Sequence, residues 1–129
     1  MGLFGSKKPK TYVAEAYPLK QGSAVKIVDI DQAWVDRVRA TVPTVPRDGH
    51  VVPIALKVNG DDVLVIADGV PVGRMDPTQT RHYLGELTRI EKRGYIGTTD
   101  AAIKPEKFKS PHSILLDYSE NAVGGGGIL

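Results

Sequence analysis

Val51-Val52-Pro53-Ile54-Ala55-Leu56-Lys57-Val58, then Asn59-Gly60, then Val63-Leu64-Val65-Ile66-Ala67: two β-rich runs around a tight-turn pair decide the architecture of this chain. Asn and Gly accept the positive φ that a two-residue hairpin turn requires, so the stretch reads as a β-hairpin. Its second arm is apolar on both faces, which makes it a central strand. Pro53 has no backbone donor and therefore belongs at an edge or a bulge. Asp68-Gly69 makes the next turn, and Val70–Met75 a third short strand.

Working outward, Asp76-Pro77-Thr78-Gln79 is a helix start. Asp76 is placed as N-cap, Pro77 at the first helical position and Gln79 at the capping-box position. A single helix is expected from there, with Tyr83, Leu84, Leu87 and Ile90 on one stripe and Gly94 as its left-handed stop. Two strands follow, near Tyr95–Ile103 and Ser113–Tyr118, joined by the basic loop KPEKFKSPH. Upstream, Thr11–Tyr17 and Ala24–Ile30 alternate as strands. Asp31 caps a helix to about Thr41 that presents Trp34, Val35 and Val38, and Pro43 and Pro46 end it. The expected order is β-β-α-β-β-β-α-β-β. Short turns and few helices argue for an α+β fold, a small, mostly antiparallel β-barrel or sandwich carrying two helices.

The chain has 129 residues, enough for one domain. Residues 1–10 read as a flexible basic arm, 11–120 as the single globular domain, and 121–129, with four consecutive glycines, as a flexible tail. Lys7, Lys8 and Lys10 lie in the arm; the remainder carries fourteen basic against fifteen acidic side chains. That balance argues against a strong, non-specific duplex binder. There is no cysteine, which excludes disulfides, thiolate metal sites and a thiol nucleophile. No apolar run approaches the ~18 residues of a membrane span, and no secretory signal is read. The expectation is a cytoplasmic protein with no stable membrane insertion. Met1-Gly2 with Ser6 fits a myristoylation pattern, weighed against a plain solubilising start.

Chemistry-bearing patterns are sparse. His50, His82 and His112 fall in three different elements without metal-ligand spacing, so no metal site and no cofactor are expected. Ser6, Ser23, Ser110, Ser113 and Ser119 lie in no nucleophile pattern. The pairs Asp29/Asp31 and Asp61/Asp62 read as a helix opening and a solvated turn. Gly124–Gly127 precedes no helix and is no phosphate loop. The expectation is a protein without enzymatic activity. Two basic patches remain: Lys104, Lys107, Lys109 and His112 around Phe108, and Arg37, Arg39 and Arg47 around the first helix. A ring among cations can stack on a base.

Val63-Leu64-Val65-Ile66, Gly69-Val70-Pro71-Val72-Gly73, Tyr83, Gly94 and Leu116-Asp117-Tyr118 follow one another in an order that resembles the HIRAN domain, a small β-barrel module. The likeness spans about residues 24–118, with the helix of Trp34 similar to that family's first helix. It implies recognition of DNA, as free single-stranded ends and fork-like structures. The family's functional segment, of Asn-Pro-x-Asp type, falls here on Lys57-Val58-Asn59-Gly60-Asp61-Asp62. Asn59 and an aspartate match it; the proline and a neighbouring aromatic are absent, and the loop is a tight turn. The leading expectation is a nucleic-acid-binding module for single-stranded DNA or DNA ends. Its contacts would be Lys57, Asn59 and Arg74 near the hairpin, with Lys107 and Phe108 as a second contact. The alternative is a protein-protein interaction (adaptor) domain, which an exposed Trp34 would favour.

Overall fold

The structure, a computed structural model, describes residues 10–14, 24–108, 111–115 and 120–122. In chain order the elements are β1 (Lys10–Ala14), β2 (Val25–Val28), α1 (Gln32–Thr41), β3 (Thr44–Val45), β4 (Gly49–Asn59), β5 (Asp62–Ala67), β6 (Val70–Met75), α2 (Pro77–Thr80), α3 (Leu84–Lys92), β7 (Tyr95–Ile103), β8 (Ser113–Leu115) and β9 (Glu120–Ala122). Strands β4-β5-β6-β2-β8-β7 pair in sequence, every pair antiparallel, and β7 returns to β4. That last pairing closes a six-stranded barrel and settles barrel over sandwich. Closure removes the free edges that an open sheet of this size would leave.

The central hairpin forms as its residues dictate. Asn59 faces Asp62 across the turn, Gly60 takes φ +63°, and β5 lies between β4 and β6. Pro53 stands where β4 has β7 on one side only, between the stretch paired with β3 and the stretch paired with β5. At Gly73 both reasons for a glycine in a strand hold. The β5–β6 register shifts between Val65 and Ile66, and a Cβ on Gly73 would stand 2.8 Å from Cγ2 of Ile27.

Helix α1 is capped by Asp31, whose carboxylate accepts from the Ala33 amide at 3.0 Å. Trp34, Val35 and Val38 are buried in the core with Val25, Leu56, Val65, Met75, Leu87 and Ile114. Fully burying each such side chain contributes about 1.5–3 kcal/mol, so this stripe seats the helix. Trp34 is 3% exposed and is core, not a docking surface.

The single helix expected from Asp76 to Gly94 is instead two. Asp76 does cap α2, accepting from the Thr78 amide at 3.1 Å. Thr80 is buried, and its hydroxyl bonds back to the Asp76 carbonyl at 3.1 Å. The same carbonyl also accepts the Thr80 amide at 3.1 Å, so the i→i−4 bond is kept there. The chain tightens into i→i−3 bonds, His82 to Gln79 and Tyr83 to Thr80, before α3 begins. Gln79 makes no capping box; its side-chain oxygen meets the Lys26 amide at 3.4 Å.

Two small strands escape the expected order. β3 pairs with the start of β4, and β9 pairs with β1, which runs parallel to β7 outside the barrel. Lys10 opens β1, and Asn121 and Ala122 belong to β9. Residues 1–9, 15–23, 109–110, 116–119 and 123–129, including Gly2 and Leu116-Asp117-Tyr118, lie outside the described residues.

Candidate functional site

The three-residue turn Pro46-Arg47-Asp48 joins β3 to β4, where Val45 pairs with Gly49. Arg47 adopts φ +78° and Gly49 φ +88°. A Cβ on Gly49 would sit 2.7 Å from the Ile103 carbonyl oxygen, so only glycine lets β4 start this close to the end of β7. His50 pairs with Ile103 in the next step of the ladder. The β4–β7 seam thus holds the β3–β4 turn beside the segment that follows Ile103.

A cleft of about 560 Å³ opens between them. One wall is Thr44, Val45, Arg47 and Gly49; the other is Lys104, Pro105, Lys107 and Phe108. Phe108 is 53% exposed and Val45 43%, so apolar surface meets water at the cleft. The Lys107 ammonium lies 5.3 Å from the centre of the Phe108 ring. Among the described residues, no carboxylate lies within ion-pair distance of Arg47, Lys104 or Lys107. Two acids lie beside them along the chain: Asp48, which follows Arg47 and whose carbonyl oxygen accepts from the Lys104 ammonium at 3.5 Å, and Glu106, exposed between Lys104 and Lys107.

Behind the cleft the supports are polar and half-buried. Arg39, from α1, donates Nε and Nη2 to the Lys104 carbonyl at 3.0 and 2.9 Å. The Lys104 amide donates to Nδ1 of His112 at 3.0 Å. That bond requires an unprotonated Nδ1. Burial holds the His112 imidazole below its ordinary pKa, and the neighbouring charges of Arg39 and Lys104 push the same way. His50 donates Nδ1–H to the Val42 carbonyl at 2.6 Å and anchors the end of α1 to β4.

The residues expected to make contacts divide into two groups. Lys57 and Arg74 both stand opposite Leu64, one on each side of β5, so they share a row across the sheet with Asn59 at the nearby turn. Arg74 is not a free cation. Its Nε donates to Asp29 and its Nη1 reaches Asp62 at 3.3 Å, and the Asp29 hydrogen bond raises its pKa. A phosphate there would have to displace two carboxylates. Lys107 and Phe108 lie with the cleft at the other end of β4, where Gly49 is ten residues from Asn59. At ~3.3 Å per residue the two groups are on the order of 30 Å apart.

Of the two basic patches, Arg47 joins Lys104, Lys107 and Phe108 in the cleft, while Arg39 and His112 stand behind it. Arg37 is exposed on α1, and Lys109 lies outside the described residues. The acids sort as structural groups: Asp31 caps α1, and Asp29 and Asp62 hold Arg74. Among the described residues no three His, Asp or Glu side chains gather as a metal site, and no helix is long and apolar enough to cross a membrane. No protein-family model, curated protein or solved structure matches the chain.

Proposed function

We propose that the protein is a non-enzymatic module that binds single-stranded nucleic acid in the cleft between the β3–β4 turn and residues 104–108. The observation that carries this reading is the meeting of Arg47, Lys104 and Lys107 around the exposed Phe108 ring. The cations neutralise backbone phosphate and release its counterions. The ring offers a stacking face, which only an unpaired base can use. The near-neutral body leaves a local excess at the cleft, where Arg47, Lys104 and Lys107 face Asp48 and Glu106 on the same two segments, whereas Arg74 at the far end of β4 is paired with Asp29 and Asp62. The order of elements resembling the HIRAN domain supports the same class of ligand. The contact lies at the cleft rather than at Lys57, Asn59 and Arg74.

The test is fluorescence anisotropy of labelled single-stranded, blunt duplex and 3′-overhang DNA over a salt series. Saturable binding of the forms with unpaired bases is expected, with a log–log salt slope near −2 for about three phosphate contacts. Absence of binding at low salt and high protein concentration overturns the reading and makes a protein partner, sought by pull-down, the next hypothesis.

A further inference from the structure

We infer that the cleft takes one nucleotide bearing a monoester phosphate, its base on Phe108 and its phosphate among Arg47, Lys104 and Lys107. This rests on the reading above and narrows it from a running strand to a phosphorylated unit. Three observations carry it. The first is size. A volume of about 560 Å³ falls within the ~300–1,000 Å³ of sites that enclose one small molecule. Grooves that track a strand hold ~4–16 nucleotides per domain.

The second is the number of stacking faces. Among the described side chains, Phe108 is the exposed aromatic; Trp34 is buried, and Tyr83 and Tyr95 are half-buried. A strand bound along its length uses successive rings, whereas one ring serves one base. The third is charge. An internal phosphodiester carries one negative charge, while a monoester carries about −1.5 to −2 at neutral pH. Arg47, Lys104 and Lys107 outnumber Asp48 and Glu106 on the same two segments and make no ion pair with them among the described residues, which favours the more highly charged group. The planar Arg47 fork can also engage two of its oxygens at once, which a terminal phosphate presents more freely.

Such a group comes from two sources, a phosphorylated strand end or a free nucleoside monophosphate. The experiment compares one short single strand carrying a 5′-phosphate, a 3′-phosphate or only hydroxyl ends, each bound by the full chain and followed by anisotropy. Adenosine monophosphate and inorganic phosphate serve as competitors. A phosphorylated end is expected to bind at least about tenfold more tightly than the hydroxyl strand, a preference of the size that one added charge-assisted contact supplies. The Arg47→Gly variant should erase that preference, and Phe108→Ala should weaken both strands alike. The Arg47→Gly fold is checked by its denaturation midpoint, since glycine suits the φ of +78° there.

Adenosine monophosphate competing as strongly as the phosphorylated strand identifies a free nucleotide as the source; weak competition identifies a strand end. Equal affinity for phosphorylated and hydroxyl strands, growing with strand length, overturns the inference and leaves single-strand binding standing. Binding of adenosine monophosphate without binding of any strand upholds the inference and removes the strand reading. Binding of neither removes both.

Discussion

Both Nε and Nη2 of Arg39 donate to the carbonyl oxygen of Lys104, at 3.0 and 2.9 Å, across sixty-five residues of chain. Helix α1 thereby holds the wall of the cleft in place from behind. A charged donor on a half-buried carbonyl is worth more than a neutral one. Arg39→Met should cost about 1–2 kcal/mol in urea unfolding, and ligand affinity should fall further than Arg37→Met lowers it. Equal effects of the two substitutions would show that Arg39 does not position the segment.

Arg47 and Gly49 share the left-handed backbone region but differ in what surrounds them. Arg47→Gly relieves a strained φ and is expected to hold or raise stability by up to about 1 kcal/mol while weakening binding. Gly49→Ala forces a Cβ to within 2.7 Å of the Ile103 carbonyl oxygen and should cost roughly 2–4 kcal/mol. Gly60→Ala, with φ +63° and nothing within 4 Å, is the control and should cost only about 1 kcal/mol. Denaturant midpoints of the three variants rank them directly.

His112 gives a pH dependence whose sign is fixed by its surroundings. Its folded pKa is lowered, so between that value and the ordinary imidazole value of 6.5 the unfolded chain holds more protons than the folded one. Stability from this group is therefore complete above about pH 6.5 and declines as pH falls through the window below it. Protonation of Nδ1 also removes the acceptor for the Lys104 amide. His112→Asn keeps an acceptor without a titrating ring and should flatten the stability slope in that window. An unchanged slope assigns it to other groups.

Phe108→Ala should weaken single-strand binding by roughly tenfold, the order expected for one stacked base. Lys57→Ala and Asn59→Ala, at the other end of β4, should leave affinity nearly unchanged. The reverse ranking in the same anisotropy titration would return the site to the hairpin.

Much of the fold was legible because its signals are local. The Asn59-Gly60 turn, the Asp31 and Asp76 caps and the burial stripe of Trp34, Val35 and Val38 each depend on a few neighbouring residues. The break before α3 was not legible, since the Asp76 cap and the stripe of Tyr83, Leu84, Leu87 and Ile90 read as one helix and residues 81–83 hold no proline or glycine to interrupt it. The cleft was half legible. Lys104, Lys107 and Phe108 stood out as a basic patch around a ring, but Arg47 is some sixty residues away in sequence. Only the pairing of His50 with Ile103 brings it there. The pairing of Arg74 was not legible for the same reason: its partner Asp29 lies forty-five residues upstream.

The β4–β7 seam is the longest ladder in the barrel, running from His50 opposite Ile103 to Leu56 opposite Gly97. The cleft spans its outer end, so the site exists only while this non-local pairing is closed. Unzipping that end and losing the site are one event. A bound ligand bridging the two walls acts as a clasp, and amide hydrogen exchange along His50–Val52 and Ala101–Ile103 should slow in proportion to its occupancy.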